Sequence, residues 1–432
     1  MISFLESIPA VVRLLLVFAF LLVAIRRKLT LGNAFFFSSI FLGLLFAMPL
    51  PAIGKSVVHS VLFPKTLALS VVVALILILS NSMEAGGQMK RLLNNFQGLI
   101  TDVRLNIIVF PALIGLLPMP GGAVFSCPMV KSIGRDTELS DVQLGYLNQW
   151  FRHLWEYWWP LYPAVLLAPT LAGLDLWAFV FAMAPITLFA FGLGYLPIRR
   201  NLRHKDERQT AKRPPLVPFL KELSPILIVI IGGLGLGEAI SVFCPQVPIA
   251  IEIGLIVSLC FAVGRIWIQN RMKAPELKKV LLDPHLLNMM YMVTAILVFK
   301  GIMEDSRAVG AIAREFAAMG LPLVLIVALL PLFVGGVIGL TIGCVGSTLP
   351  ILIPLIVSVG ESSQLLPYVV LAFGCGFVGV LFSPMHICFV LTNQYFRVSM
   401  LQVYRVAALP LALLFTAIFL YSWLLRFLGG FL

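Results

Sequence analysis

The sequence predicts an all-α polytopic membrane protein with about ten transmembrane helices and two re-entrant hairpins, arranged as two inverted-topology repeats. Three observations support this fold class. The chain has 432 residues, of which 60% are hydrophobic and 12% charged, and soluble domains carry about 25% charged residues. Apolar runs near 18 residues in length recur along the whole chain. Two of these runs are interrupted by Pro and Gly, which cannot continue one regular helix.

The first apolar run, residues 9–25, is followed by three basic residues, RRK at 26–28. A secretory signal peptide ends in small residues at a cleavage site instead. The run is therefore predicted to be a retained span.

The net charge of +12 is concentrated in short connections between apolar runs, at 26–28, 199–213 and 265–279. Basic loops beside spans follow the positive-inside rule, so no nucleic-acid partner is expected. The pattern predicts a multi-pass protein of the cell (inner, cytoplasmic) membrane, with the lipid bilayer as its surroundings. The six cysteines lack the C-x-x-C spacing of metal sites, so neither a disulfide framework nor a metal is predicted.

Hydropathy and loop charge together divide the chain into two repeats and a linker. The first repeat, 1–198, is predicted to hold spans at 8–25, 31–50, 65–80, 145–168 and 176–198, with a hairpin at 105–134. Residues 199–223 form a basic cytoplasmic linker. The second repeat, 224–432, is predicted to hold spans at 224–243, 249–267, 286–303, 364–388 and 404–424, with a hairpin at 321–360.

Three short segments of the first half recur in the same order in the second half. Met83-Glu84 recurs as Met303-Glu304, FSCP (125–128) as STLP (347–350), and WWP (158–160) as FSP (382–384). The offsets are 220, 222 and 224, which indicates an internal duplication. Since each half holds five spans, an odd number, the second half is expected to enter the membrane inverted.

The segments PMPGGAVFSCP (118–128) and TIGCVGSTLP (341–350) are predicted to be the hairpin tips. Irregular backbone at membrane depth survives only inside protein or against a water-filled cavity, and paired broken helices of this kind form the binding sites of secondary transporters. Helix N-termini attract anions, and released carbonyls coordinate Na⁺. The alternative is a pair of proline kinks in packed helices. The predicted substrate-binding residues of the tips are Gly121, Gly122, Ser126, Gly346, Ser347 and Thr348.

Three ionisable residues lie inside the aromatic stretch WFRHLWEYWWPLYP (150–163): Arg152, His153 and Glu156. Ionisable groups within spans are expensive and usually functional. One interpretation is that Arg152 binds a substrate anion while Glu156 or His153 carries a coupling proton. The alternative is a structural pair, because residues four apart share a helix face.

The mirror segment, GVLFSPMHICFVLTNQYF (379–396), has a helix-breaking proline at position 384 and polar residues that include Ser383, His386, Thr392 and Asn393. Ser383 and Asn393 are predicted to contact substrate, and His386 and Thr392 to serve the coupling ion or proton. A structural role for His386 is the alternative.

The segments FPALIGLLPMPGGAVFSCPMV (110–130), RHLWEYWWPLYP (152–163) and FSPMHICFVLTNQYF (382–396) resemble a family of uncharacterised integral membrane proteins of the ion transporter superfamily. That superfamily includes dicarboxylate and citrate carriers, gluconate permeases and p-aminobenzoyl-glutamate transporters. The resemblance implies a homodimer in which a domain with two hairpins moves by an elevator mechanism. Dicarboxylate carriers place Ser-Asn-Thr motifs at their hairpin tips, and both tips here lack the Asn.

These observations predict a secondary active transporter that moves a small organic anion, driven by H⁺ or Na⁺. No G-x-x-x-x-G-K-[ST] motif is present, so no ATPase of its own is expected. No enzymatic activity is predicted, and no cofactor apart from Na⁺ as a possible coupling ion. The alternatives are a cation/proton antiporter without an organic substrate and, from another class, a membrane-embedded enzyme or assembly component.

Overall fold

A computed structural model describes residues 7–100, 102–119, 121–135, 137–202, 214–320 and 322–429. All of the elements in these ranges are helices, which confirms the all-α class. Eight of the helices are long and apolar enough to cross a bilayer, so the chain is a multi-pass membrane protein. These eight helices cover 64–85, 176–195, 216–243, 250–269, 274–305, 341–358, 362–381 and 400–428.

The first half contains ten α-helices. They are α1 (Ala10–Arg26), α2 (Leu31–Leu45), α3 (Leu50–Leu62), α4 (Pro64–Ala85), α5 (Gln88–Phe96), α6 (Val103–Gly115), α7 (Ala123–Gly134), α8 (Asp141–Arg152), α9 (Pro163–Ala172) and α10 (Leu176–Tyr195). A 3₁₀ turn, Leu154–Tyr157, follows α8.

The second half repeats this series. Its helices are α11 (Leu216–Phe243, with a π-helical stretch at Ile228–Gly233), α12 (Ala250–Gln269), α13 (Ala274–Leu281), α14 (Pro284–Asp305), α15 (Ala308–Met319), α16 (Leu323–Ile338), α17 (Thr341–Ser358), α18 (Leu365–Leu381), α19 (Ile387–Phe396) and α20 (Met400–Gly429).

Helices at equal positions in the two halves also have corresponding packing partners. The helices α4 and α14 are both 22 residues long and begin at Pro64 and Pro284. α4 packs on α12, and α14 packs on α2; α5 packs on α11, and α15 on α1; α9 packs on α17, and α19 on α7. When the first half is exchanged with the second, each of these helix contacts becomes the other contact of its pair. The two halves are therefore interlocked about a pseudo-two-fold axis.

Most of the helices belong to one of two groups. We call α1–α4 and α11–α14 the frame, in which α4 also packs directly on α14. We call α6–α9 and α16–α19 the hairpin group. Within it, α6 and α7 pack together as the first hairpin, and α16 and α17 as the second.

The prediction of one span over 145–168 is wrong. The helix α8 ends at Arg152, and regular α-helix resumes only at Pro163, after the 3₁₀ turn and an irregular stretch. Pro160 and Pro163 lack backbone N–H groups, so this segment cannot complete a helical hydrogen-bond ladder. The run of Trp and Tyr side chains gave the segment the hydropathy of a span without the backbone of one.

The predicted position of the second hairpin tip is also wrong. The chain breaks at Gly339 and Leu340, before TIGCVGSTLP, and Pro350 and Pro354 lie inside α17. Gly339 has φ of +71°, a left-handed conformation that glycine adopts without a steric penalty. The FSCP segment likewise lies within α7, which begins at Ala123, after the break that includes Gly121 and Gly122.

Other boundaries differ by a few residues. The helices at the predicted spans 8–25 and 31–50 have 17 and 15 residues, respectively. Because α11 already begins at Leu216, the predicted linker 199–223 is shorter than expected. The part of the basic run at 203–213 lies outside the described residues.

The close packing of α16 on α18 depends on glycine. A Cβ at Gly379 would overlap the carbonyl oxygen of Leu332 and lie 2.9 Å from the backbone nitrogen of Gly336. We expect Gly379→Ala to destabilise the protein by about 1–3 kcal/mol, since the backbone of one helix must shift. Thermal unfolding of the detergent-purified protein measures this loss.

Gly192 provides the matched control, because a Cβ there would meet nothing within 4 Å. Gly192→Ala should change stability little or increase it by up to about 1 kcal/mol, as alanine has the higher helix propensity. Equal unfolding temperatures for the two variants would contradict the packing assigned to Gly379.

Candidate functional site

Four interruptions of the backbone converge on one cavity of about 130 Å³. They lie at 116–119 with 121–122, at 153–162, at 339–340 and at 382–386, two in each half. Most of the lining residues come from the hairpin group, and they include Met119, Arg152, Glu156, Tyr162, Leu340, Thr341, His386 and Cys388. Leu77 of α4 and Met289 of α14 close the cavity from the frame. The cavity therefore lies between the two groups of helices.

The aromatic run of the first half caps the end of α6. Trp155 Nε1 donates to the carbonyl oxygen of Ala112 at 2.7 Å, and Trp159 Nε1 to that of Leu116 at 3.0 Å. Tyr162 OH donates to the carbonyl oxygen of Gly115 at 2.6 Å. The last carbonyls of a helix have no partner within the helix, and in lipid each needs one. The run is thus not a regular span, and three of its side chains serve to cap another helix.

The second half caps α16 from equivalent positions. Ser383 Oγ donates to the carbonyl oxygen of Gly336 at 2.6 Å, and His386 Nδ1 lies 3.0 Å from the carbonyl oxygen of Gly339. Ser383 and His386 follow Trp159 and Tyr162 by 224 residues. Ser383 was predicted to contact substrate, but its hydroxyl is used in this cap.

Arg152 ends α8 with its guanidinium in the cavity wall and is 3% exposed. Its Nη2 donates to the carbonyl oxygen of Met119 at 2.9 Å, and its Nη1 lies 2.8 Å from Cys388 Sγ. Its Nε has no hydrogen-bond partner among the described residues. Gly122 leaves room for this arrangement, because a Cβ there would overlap Nη2.

The structural pair of Arg152 with Glu156 is not formed. Among the described residues, ion pairs join Arg91 to Glu222, Lys131 to Asp141, His153 to Glu156, Lys300 to Glu304 and Arg426 to Glu361. The i,i+4 argument fails because α8 ends at Arg152 and the chain turns. Glu156 Oε2 instead accepts from Thr341 Oγ1 at 3.0 Å. Arg152 is therefore a buried cation without a carboxylate in contact, an arrangement that costs several kcal/mol.

His153 and His386 join the two halves at the cavity. Their Nε2 atoms lie 3.0 Å apart. His153 Nδ1 is 2.5 Å from the carbonyl oxygen of Gln149, and Glu156 Oε1 lies 3.7 Å from His153 Nε2. Both histidines are at most 5% exposed.

The cluster of His153, His386 and Cys388 has the composition of a transition-metal site. Their ligand atoms lie within 4.8 Å of one another, and imidazole and thiolate ligands suit zinc or copper. However, a divalent ion at the cluster would add two positive charges beside the guanidinium of Arg152, whose Nη1 lies 2.8 Å from Cys388 Sγ and 3.4 Å from His153 Nε2. Among the described residues, the one carboxylate paired with the cluster is that of Glu156, which balances a single charge. We therefore assign no metal to it.

Several predicted site residues lie away from the cavity. The hydroxyls of Ser126, Ser347 and Thr348 bond to carbonyl oxygens three or four residues earlier in their own helices. A Cβ at Gly346 would meet the side chain of Ile296, so this glycine serves packing of α17 on α14. Gly121 is at the first tip with φ of +75°.

Thr392 and Asn393 lie in α19, more than one helical turn from the cavity residue Cys388. Thr392 Oγ1 accepts from Asn148 Nδ2 at 3.0 Å. The side-chain amide of Asn393 is buried and has no partner in the described part of the chain, and Asn148 Oδ1 also lacks one.

Sequence reasoning missed Cys388, Thr341 and the backbone of Met119. The spacing of Cys388, two residues after His386, was a signal that could have been used. Thr341 and Met119 had none, because their positions follow from where the two hairpins break.

Residues 10–425 match the family described as "Protein of unknown function (DUF401)". The chain belongs to this family. The match confirms the resemblance to uncharacterised membrane proteins. No curated protein matches the chain.

A solved structure has a similar fold. It is the YdaH transporter of Alcanivorax borkumensis, whose crystal structure is described as having an unusual topology. The similarity covers 88% of this chain and 89% of that one, with a TM-score of 0.60 and 15% sequence identity. At this identity, the likeness establishes a shared fold for the DUF401 protein.

The caps of α6 can be tested with two neighbouring tyrosines. Tyr162→Phe leaves the carbonyl oxygen of Gly115 buried without its donor, and we expect a loss of about 1–3 kcal/mol in the free energy of unfolding. Thermal unfolding in detergent is the measurement.

Tyr157→Phe is the control, because the buried hydroxyl of Tyr157 has no hydrogen-bond partner among the described residues. Removing it should be neutral or stabilising. If Tyr162→Phe proves as harmless as Tyr157→Phe, the 2.6 Å bond does not stabilise the break.

Proposed function

We propose that this protein is a secondary active transporter that moves a small organic anion of the carboxylate type across the cell membrane, coupled to H⁺ or Na⁺. The observation that carries the proposal is the buried guanidinium of Arg152 in the wall of the cavity, in contact with no carboxylate of the described residues. Intramembrane ionisable groups generally mark substrate pathways. Arg binds carboxylates in a planar, two-bond geometry, and Nε of Arg152 has no acceptor in the described part of the chain.

The cavity favours a small substrate. Its volume is about 130 Å³, close to the roughly 150 Å³ of an engineered cavity that holds benzene. Leu77, Met289 and Leu340 provide apolar walls, while Arg152 and Thr341 provide polar groups. This combination suits a compact acid with one ionised group and a short apolar body.

Transport is favoured over catalysis by two features. The protein of similar fold is described as a transporter. Interrupted helices that meet across a pseudo-two-fold axis are also the usual binding-site architecture of secondary transporters. An elevator mechanism is supported by the position of the cavity, because movement of the hairpin group along the frame would carry a bound anion past Leu77 and Met289. We extend the proposal to a homodimer in the inner membrane, held through the frame.

The first experiment is a thermal-shift assay of purified protein with glycolate, succinate and citrate, each with and without Na⁺. An anion that binds only the folded state at a hundredfold excess over Kd stabilises it by about 2.7 kcal/mol. We expect at least one carboxylate to stabilise the wild type, and glycolate is favoured by the size of the cavity. Arg152→Gln should abolish the response.

Two further variants separate binding from folding. Gly122→Ala should displace the guanidinium while retaining Arg152, and should weaken the response. Arg13→Gln removes another buried arginine, which donates to the carbonyl oxygen of Leu45 in the frame, and should leave the response unchanged. An Arg152→Gln protein that is still stabilised by carboxylate would refute the anion site. Stabilisation by Na⁺ or pH alone, with no response to any carboxylate, would favour the cation/proton antiporter.

A further inference from the structure

The contact between His153 and His386 requires an additional proton. The carbonyl oxygens of Gln149 and Gly339 accept hydrogen bonds only, so Nδ1 of each imidazole, at 2.5 and 3.0 Å, must carry a hydrogen. In neutral imidazoles, each Nε2 would then have only a lone pair. Two lone pairs do not approach to 3.0 Å without a cation between them, and since no metal is assigned to the cluster, that cation is a proton. Arg152 Nη1 also lies 3.4 Å from His153 Nε2, so His153 is the acceptor and His386 is the imidazolium that donates to it.

We propose that this shared proton is the coupling ion and that it moves together with the carboxylate anion. The proposal rests on the anion-transport function above and names its coupling ion and its direction of coupling. The proton site is formed by one histidine from each half, at the centre of the pseudo-two-fold arrangement.

The charges around the pair favour an anion. Arg152 contributes one positive charge, the shared proton a second, and Glu156 one negative charge. The other titratable groups that face the pair are the sulfur of Cys388, 2.8 Å from Arg152 Nη1, and the uncharged phenols of Tyr157 and Tyr162. Whatever the charge of the sulfur, the protonated site carries one more positive charge than the deprotonated site, so the proton and an anion favour each other's binding.

Loss of the proton would act on the second hairpin. Without it, the two Nε2 lone pairs repel, and His386 must move away from His153. Because His386 Nδ1 bonds to the carbonyl oxygen of Gly339, the tip at Gly339 and Leu340 would move with it. Deprotonation would therefore open the cavity wall that faces the anion.

The test is titration calorimetry of the full-length protein with glycolate from about pH 5 to about pH 8, the range in which imidazoles titrate. Two buffers of different ionisation enthalpy report the protons taken up. At pH values where the histidine pair is unprotonated before binding, we expect about one proton to be taken up for each glycolate bound. In that range the affinity should fall about tenfold for each rise of one pH unit.

The key variant is His386→Asn. An Asn side chain places its amide nitrogen close to the position of Nδ1, so the bond to Gly339 is kept while Nε2 is removed. This variant should bind glycolate without taking up a proton and without the pH dependence. Glu156→Gln removes the negative charge beside the pair and should shift the pH dependence to lower pH. His59→Asn and His285→Asn, at exposed positions, are the controls and should match the wild type.

Three outcomes decide the proposal. Proton uptake that is lost in His386→Asn and retained in both controls supports it. Glycolate binding that is independent of pH and takes up no proton overturns the coupling site and leaves the proposed anion transport standing. If neither glycolate nor the other two carboxylates binds the wild type at any pH, the proposed function and this inference both fail.

Discussion

The whole arrangement depends on one constraint: a backbone carbonyl or amide at membrane depth must find a hydrogen-bond partner within the protein. Four interruptions of the helices release such groups at one place. Trp155, Trp159 and Tyr162 supply donors to the last turn of α6. These bonds hold the segment 153–162 against the first hairpin, and this contact places the guanidinium of Arg152 beside the carbonyl oxygen of Met119. The anion site is therefore built by the same bonds that make the interruption tolerable.

The two halves are alike in backbone and different in chemistry. Positions 224 residues after Arg152, His153 and Glu156 are occupied by Gly376, Phe377 and Val380. Gly376 allows α18 to lie against α16 and α17, because a Cβ there would lie 3.1 Å from Pro331 Cβ and 2.8 Å from Cys344 Sγ. The first half thus carries the charges, and the second half carries close packing together with His386 and Cys388. The cavity between them therefore holds a single asymmetric site.

Much of the fold was accessible from the sequence, because hydropathy, loop charge and proline positions report directly on membrane spans. Arg152, Glu156 and His386 could be identified as cavity residues, since ionisable groups are rare in apolar segments. The end of α8 could not be predicted, because Trp and Tyr count as apolar although their N–H and O–H groups cap another helix. The second tip was misplaced because Pro350 and Pro354 suggested a break, whereas a glycine with positive φ at 339 makes it. The pairing of His153 with His386 depends on contact between the halves, which no local pattern encodes.

The charges of the site also explain how coupling would be enforced if the histidine pair carries the proton and Cys388 is a neutral thiol. With neither ligand, Arg152 and Glu156 cancel. With proton and monovalent anion both bound, the four charges cancel again. With only one of the two bound, the site carries a net charge of one unit, and moving it past the apolar side chains of Leu77 and Met289 would require desolvating an unbalanced charge. Only the empty and fully loaded states can then cross cheaply, which is the condition for symport without leak. The apolar side chains of the frame would accordingly select by the net charge of the loaded site and not by the chemical identity of the anion.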